Sequence, residues 1–328
     1  MNETIIDIQD LKTYFFTDEG TVKAVDGVNL KLEKNKTLGL VGESGCGKST
    51  VALSIMRLVP WPGKIIGGKI IFNGEDLLKK SNEKIRRIRG KEISMIFQDP
   101  TASLNPVFDI EDQLREVVKL HQTVKKPEIH PILLDMLKRV GISDAEIRLS
   151  NYPHELSGGM KQRMMIAMAL LCQPKLLIAD EPTTSLDVTI QAQILELIKE
   201  LKRIYSSSML LITHNLGVIS ELTDMTAVMY AGKIVEYSNT LTLFEKPIHP
   251  YTNALLQSIP RVDMEQEKLL GIPGFVPSLY NPPPGCRFHP RCKHATDRCM
   301  RDDPPLEEVE RGHQVACPLW SEIADDPI

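Results

Sequence analysis

Three short runs of residue types in this chain could do phosphate chemistry, and a fourth could hold a metal. Gly42-Glu43-Ser44-Gly45-Cys46-Gly47-Lys48-Ser49 carries the spacing GxxxxGK[ST]. In that pattern glycines let backbone N–H groups point at phosphates, the lysine reaches the β and γ phosphates, and the hydroxyl after it ligates Mg²⁺. Gly42, Ser44, Gly45, Cys46, Gly47, Lys48, Ser49 and Thr50 are therefore candidate nucleotide-binding residues, with Cys46 supplying backbone alone. Leu176-Leu177-Ile178-Ala179-Asp180-Glu181 is an apolar run ending in two carboxylates. Asp180 suits the Mg²⁺ site, through water, and Glu181 stands where a general base could deprotonate an attacking water. Leu156-Ser157-Gly158-Gly159-Met160 precedes a helical pattern, so Ser157 is a helix N-cap and Gly158 and Gly159 expose N–H groups at a positive dipole end, a second anion site. Alone, that run is an ordinary cap. Cys286, Cys292, Cys299 and Cys317 follow C-x5-C-x6-C-x17-C, and four thiolates could supply a metal site, although no CxxC pair is present.

These residues need elements to hold them. An apolar strand over 36–41 runs into the glycine-rich loop, and a helical pattern follows over 49–58. Short β-prone segments are expected at 4–8, 22–25 and 69–72, a basic helix at 81–90 and an apolar strand at 92–97. Residues 109–172 read mostly as helices, with Gly141 and Pro153 as punctuation. Buried strands follow at 176–179 and 209–212, separated by a long periodic helix over 189–205, so the sheet is expected to be largely parallel.

Composition narrows the function classes. The 328 residues are 42% hydrophobic and 25% charged, enough apolar material for a sizeable core. The net charge of -4 argues against a nucleic-acid binder held by bulk positive charge. The longest apolar run, 164–172, has nine residues, short of the roughly 18 that a membrane span needs. The N-terminus lacks a basic region and a small-residue cleavage site, so no secretory signal is expected and the protein is expected in the cytoplasm. In a reducing compartment the six cysteines are not expected to form disulfides.

Taken together and in order, GESGCGKST, Gln98 in FQDP, LSGGM, LLIADEP, Ser185-Leu186-Asp187 and His214 in ITHN resemble the ABC ATPase superfamily over roughly residues 1–260. The resemblance implies an α/β P-loop ABC ATPase domain with a helical subdomain, about 100–172, and ATP and Mg²⁺ as ligands. It implies that Gln98 senses the metal and the transport subunit, that His214 contacts the γ-phosphate and that Asp187 lies in a loop crossing a dimer interface. An aromatic residue near the first strand should stack on adenine; Phe15 is favoured by register and Tyr14 is the alternative. The general signature ends in Gln where this chain has Met160, and LSGGMKQR is similar to the peptide-importer branch. His249-Pro250-Tyr251-Thr252-Asn253-Ala254-Leu255-Leu256, with the terminal cysteines, is similar to the ATPase subunits of dipeptide and oligopeptide importers.

That branch implies a [4Fe-4S] cluster on Cys286, Cys292, Cys299 and Cys317, with zinc as the alternative and His289, His294 and His313 as nearby groups. After about 260 the composition shifts to proline, cysteine and histidine, so a nucleotide-binding domain over 1–260 and a small cysteine-rich C-terminal extension over 261–328 are expected. The implied function is the ATP-hydrolysing subunit of a peptide importer, peripheral on the cytoplasmic face of the membrane. Its implied partners are a second, related ATPase subunit, two transmembrane permeases and, indirectly, an external peptide-binding protein. The alternatives are an importer subunit for another solute such as nickel, and a soluble ABC ATPase acting on DNA or ribosomes; uninterrupted spacing and a single cassette argue against the last. Because the candidate ATP-site residues lie before 260, Cys292→Ser is expected to leave nucleotide binding intact, with damage confined to tail folding or subunit docking.

Overall fold

The computed structural model describes residues 3–184, 186–258 and 272–323. The chain forms two compact units, Met1–Ile5 with Lys79–Leu211, and Ile6–Leu78 with Ile212–Ile328. The strands, in chain order, are β1 (Thr4–Thr17), β2 (Gly20–Glu33), β3 (Thr37–Val41), β4 (Gly63–Phe72), β5 (Glu75–Asp76), β6 (Ile93–Ile96), β7 (Leu176–Asp180), β8 (Ser208–Ile212), β9 (Met225–Tyr230), β10 (Lys233–Asn239), β11 (Glu307–Glu310) and β12 (His313–Val315).

The first unit is built on β6, β7 and β8, with β7 central. β6 and β7 run parallel, Ile93 opposite Leu176 through Ile96 opposite Ala179. Every residue of β7 and β8 is buried, which is why both read as uninterrupted apolar runs rather than alternating ones. The helices expected between 109 and 172 are present: Ile110–His121, Lys126–Arg139, Ala145–Leu149 and Gly158–Leu170. Asp109 caps the first, accepting from the Asp112 N–H at 2.7 Å. Helix Gly158–Leu170 buries Met164, Met165, Ile166 and Ala167 in succession, so it is enclosed on most sides. The periodic helix is Val188–Tyr205, and it turns its Ile194, Leu197, Ile198 and Leu201 stripe inward.

The second unit carries two sheets. One is ordered β2–β1–β4–β5, and β1 pairs antiparallel with β4 from Ile6 opposite Phe72 to Phe15 opposite Gly63. The strands expected at 4–8 and 22–25 are thus the N-terminal parts of two 14-residue strands. The other runs β11–β12–β10–β9–β3, with β3 and β9 parallel. The hairpin joining β9 to β10 has two central residues, Ala231 and Gly232, both at positive φ, 44° and 86°. Such a turn matches the twist of the flanking strands, but alanine at its first position disguises it, and the sequence reading missed this hairpin. The expected domain boundary at 260 lies outside the described residues.

A buried carboxylate knits the C-terminal part of this unit. Glu236 of β10 has no exposed surface, and it accepts from the N–H groups of Ile248 (2.8 Å) and His249 (3.0 Å). The His313 Nε2 of β12 lies 2.7 Å from the same carboxylate. His249 is itself 1% exposed and caps helix Pro250–Gln257, its Nδ1 accepting from the Tyr251 N–H at 3.1 Å. Burial pushes the His249 imidazole down to about 4, against the attraction of Glu236.

A histidine held neutral in this way binds its proton more readily in the unfolded chain, whose imidazole titrates near 6.5, about 2.5 units higher. Stability therefore falls as pH drops from about 6.5 towards 4, by up to roughly 3 kcal/mol from this group. His249→Asn, which preserves a capping acceptor, is expected to flatten that part of the stability profile, measured as unfolding midpoint against pH. An equally steep profile in the variant would assign the acid sensitivity elsewhere.

Candidate functional site

In the second unit β3 ends at Val41, the chain wraps through residues 42–47, and helix Lys48–Ile55 begins at once. Gly42, Gly45 and Gly47 all have positive φ, 154°, 77° and 110°. A Cβ on Gly42 would sit 2.1 Å from the Met229 carbonyl oxygen, and one on Gly47 2.1 Å from that of Ala24, so only glycine fits at either place. Around Gly45 nothing comes within 4 Å of an added Cβ. Lys48 is 5% exposed, and its Nζ donates to the carbonyls of Gly42 (2.8 Å) and Glu43 (3.0 Å). Ser44 and Ser49 are exposed, and Thr50 is half-buried. The Cys46 thiol is buried 3.8 Å from Lys48 Nζ, and burial pushes its pKa up. Its sulfur would lie 2.9 Å from a Cβ added to Gly42, so it packs against the start of the loop.

The aromatic candidates lie on β1 in this unit. Thr13 Oγ1 meets Ser54 Oγ of the loop helix at 2.8 Å, and Phe15, two residues on, shares that face of the strand. Phe15 packs on Gly63, whose added Cβ would lie 2.7 Å from its ring. Tyr14, on the opposite face, donates its hydroxyl to Asp26 Oδ1 at 2.5 Å. His214 is exposed just past the end of β8.

In the first unit β7 delivers Asp180, 5% exposed, and then Glu181, which takes a left-handed conformation with φ 47°. That conformation is uncommon for a non-glycine residue and turns the chain sharply at the strand end. The Glu181 carboxylate accepts from Gln98 Nε2 at 3.0 Å and Thr184 Oγ1 at 2.9 Å. Gln98, just after β6, and Glu181, just after β7, are brought together by the parallel pairing of those strands. Ser157 caps helix Gly158–Leu170 through the Met160 N–H (3.3 Å), and Asp187 caps helix Val188–Tyr205 through the Ile190 N–H (3.0 Å). An added Cβ on Gly159 would lie 3.2 Å from Ile190 Cγ2, so the two N-termini stand side by side. Ser157, Gly158 and Asp187 are exposed. Ser185 lies outside the described residues.

The terminal cysteines require a correction. Cys286, Cys292, Cys299 and Cys317 do converge, on a cavity also lined by Phe288 and Leu319. That cavity holds about 10 Å³, the size of a single water-sized sphere. Among the described residues no group of three or more His, Cys, Asp or Glu is placed to hold a metal ion. Burial also pushes the Cys286 thiol up to about 11 and that of Cys317 to about 12. The expectation of a [4Fe-4S] cluster on these four residues, or zinc in its place, is overturned. The four cysteines instead surround a small cavity that His249, His289 and His294 also line.

Sequence reasoning missed residues after 230 that hold the loop. The Tyr251 hydroxyl accepts from the Glu43 N–H at 2.9 Å, and the Gly232 N–H donates to the Cys46 carbonyl at 2.8 Å. Arg291 pairs with the Glu43 carboxylate at 2.8 Å, and Arg287 pairs with Asp26. The marked run 249–256 contains Tyr251, but nothing local in the sequence indicates a partner some 200 residues away.

Comparison with known proteins adds the following. Residues 25–184 match the family model described as ABC transporter, and residues 235–299 match that described as oligopeptide/dipeptide transporter, C-terminal region. The chain is 51% identical over 320 residues to the oligopeptide transport ATP-binding protein AppD of Bacillus subtilis, covering 97% of this chain and 98% of that one. It is 45% identical over 313 residues to the dipeptide transport ATP-binding protein DppD of Escherichia coli, covering 95% and 96%. Its fold is similar to the dimeric, post-hydrolysis ATP-binding cassette MJ0796 bound to ADP and Pi, with a TM-score of 0.64 and 22% identity over 72% of this chain and 98% of that one.

The glycine contacts generate a direct test. Gly47→Ala sets a Cβ against the Ala24 carbonyl at an unfavourable φ and is expected to cost about 1–3 kcal/mol. Denaturant unfolding of the full chain measures it. An unchanged midpoint would mean that the loop opens without cost.

Proposed function

The chain belongs to the ATP-binding subunits of ABC transporters for dipeptides and oligopeptides, and we propose from that membership, together with the geometry above, how its residues divide the work. It is an ABC ATPase that powers peptide import. ATP supplies a phosphoanhydride whose hydrolysis drives conformational change; the chain's residues bind it, orient water and hold charge. The backbone N–H groups of 42–50 receive the phosphates, with Lys48 neutralising charge. Ser49, Asp180 and Gln98 would hold Mg²⁺. Phe15, on the loop-helix face of β1, is our choice for the adenine contact over Tyr14, whose hydroxyl is engaged by Asp26. His214 supplies the γ-phosphate contact.

One observation carries the catalytic reading: Gln98, 83 residues away in sequence, donates to Glu181 at 3.0 Å, with Thr184 as second donor. A carboxylate fixed by two neutral donors at a strand end is oriented to accept a proton from water. Gln98 is then a positioning residue, and its surroundings with the helical region 100–172 pass motion to the permeases.

Ser157, Gly158, Gly159 and Asp187 present two adjacent helix N-termini to solvent, a geometry suited to the nucleotide of a facing subunit. We read that subunit as a related but distinct ATPase, and the permeases as two membrane subunits. Among the described residues no helix is long and apolar enough to cross a membrane. The subunit then works as a peripheral one at the cytoplasmic face. Residues 1–260 are read as the nucleotide-binding domain and 261–328 as the C-terminal extension.

Glu181→Gln should retain ATP binding while slowing turnover of the assembled transporter by roughly 10²-fold to 10⁴-fold. Phosphate release checks it, and near-normal hydrolysis would remove Glu181 from the role. Ser157→Arg should leave ATP binding by the isolated chain intact but block hydrolysis in the complex. Loss of binding in the isolated chain would contradict action on a facing subunit.

A further inference from the structure

The phosphate loop contains an acid at a place where an acid is electrostatically wrong. Glu43 follows the first glycine, its backbone carbonyl accepts from Lys48 Nζ at 3.0 Å, and its carboxylate is only partly exposed. A free carboxylate there would repel a triphosphate through a partly buried region that salt screens weakly. Arg291 meets it with a two-pronged contact, Nη1 to Oε2 at 2.8 Å and Nη2 to Oε1 at 3.2 Å.

The Arg291 guanidinium is fully committed. Its remaining N–H groups donate to the carbonyls of Pro273 (2.8 Å) and Ile272 (3.2 Å) and to the Tyr230 hydroxyl (3.3 Å). It lies over the Tyr230 and Phe288 rings, at 5.8 and 6.0 Å, with its side chain 4% exposed. Every donor of the planar fork therefore has an acceptor, and each acceptor belongs to the phosphate loop, the β9–β10 hairpin or the tail. Arg287, four residues earlier, makes a second tie, to Asp26 and the Ala231 carbonyl, while the Lys23 N–H donates to the Leu279 carbonyl at 2.9 Å.

We propose that Arg291 of the C-terminal segment is a positioning residue for nucleotide binding, neutralising Glu43 and holding the loop backbone in its phosphate-receiving form. The inference rests on the reading that this loop binds ATP. It gives one residue of the C-terminal segment a part in the ATP site. Glu43 fixes where the arginine sits, and the arginine removes the charge that Glu43 would present to the ligand.

Titration of the full chain with a fluorescent ATP analogue, in Mg²⁺ buffer, tests this as a double-mutant cycle. Arg291→Ala is expected to weaken binding roughly tenfold and Glu43→Gln roughly threefold, with the double variant no weaker than Arg291→Ala alone. A merely structural arginine would lower the melting temperature without moving affinity. Wild-type affinity in Arg291→Ala, or losses that multiply in the double variant, would overturn the proposal. If Arg291→Ala does not fold, Arg291→Lys keeps the charge but loses the fork, and it should bind at an intermediate strength. Unchanged affinity in both Arg291→Lys and Glu43→Gln would then be the overturning result. Lys48→Ala tests the underlying reading separately: a wild-type chain that binds no ATP, or a Lys48→Ala chain that binds it normally, removes that reading and the proposal with it.

Discussion

Two carbonyl oxygens, those of Met229 and Ala24, press so closely on the backbone at Gly42 and Gly47 that no side chain fits between. This crowding sets the path of the loop, and the rest of the second unit is arranged to maintain it. β9 supplies one carbonyl while pairing in parallel with the strand that feeds the loop. β2 supplies the other. With the backbone pinned at both ends, the lysine at the start of the helix folds back over its own loop, and its ammonium finds the carbonyls of Gly42 and Glu43.

Acids in this unit follow a shared logic. Asp26, Glu43 and Glu236 are buried or half-buried, and all three are answered by residues beyond 245: Arg287, Arg291, and His313 with the backbone of 248 and 249. Buried carboxylates are tolerated when donors reach them in good geometry, and removing one partner costs more than the pair contributes. The C-terminal segment thus completes an electrostatic pattern begun in the first 50 residues.

What the sequence could disclose was whatever depends on near neighbours. The loop glycines, Lys48 and the Asp180-Glu181 pair lie on continuous strand-to-turn segments, so spacing alone marks them. The helix cap at Ser157 was legible for the same reason, whereas the cap made by Asp187 was not read from the sequence. The hairpin at Ala231 was not, because its turn uses alanine where asparagine or aspartate would have signalled it. Nor was the Arg291–Glu43 pair, whose members are 248 residues apart, since a solvated arginine and one clamped by five acceptors look alike in a string of letters. The four cysteines misled in the opposite way: regular spacing suggested ligation, whereas their side chains line a cavity of one water's size and no group of described residues is placed to hold a metal ion.

The carboxylate of Glu236 also has a consequence for biosynthesis. Its histidine partner lies 77 residues further along, on the strand that pairs with its own β10. At about 5–20 residues per second, a ribosome takes roughly 4–15 s to make that stretch. Until then β10 lacks both the strand that pairs along this edge and the imidazole that meets its buried acid. An inward-pointing acidic residue is one of the devices by which an edge strand avoids wrong pairing, and Glu236 has that placement on β10.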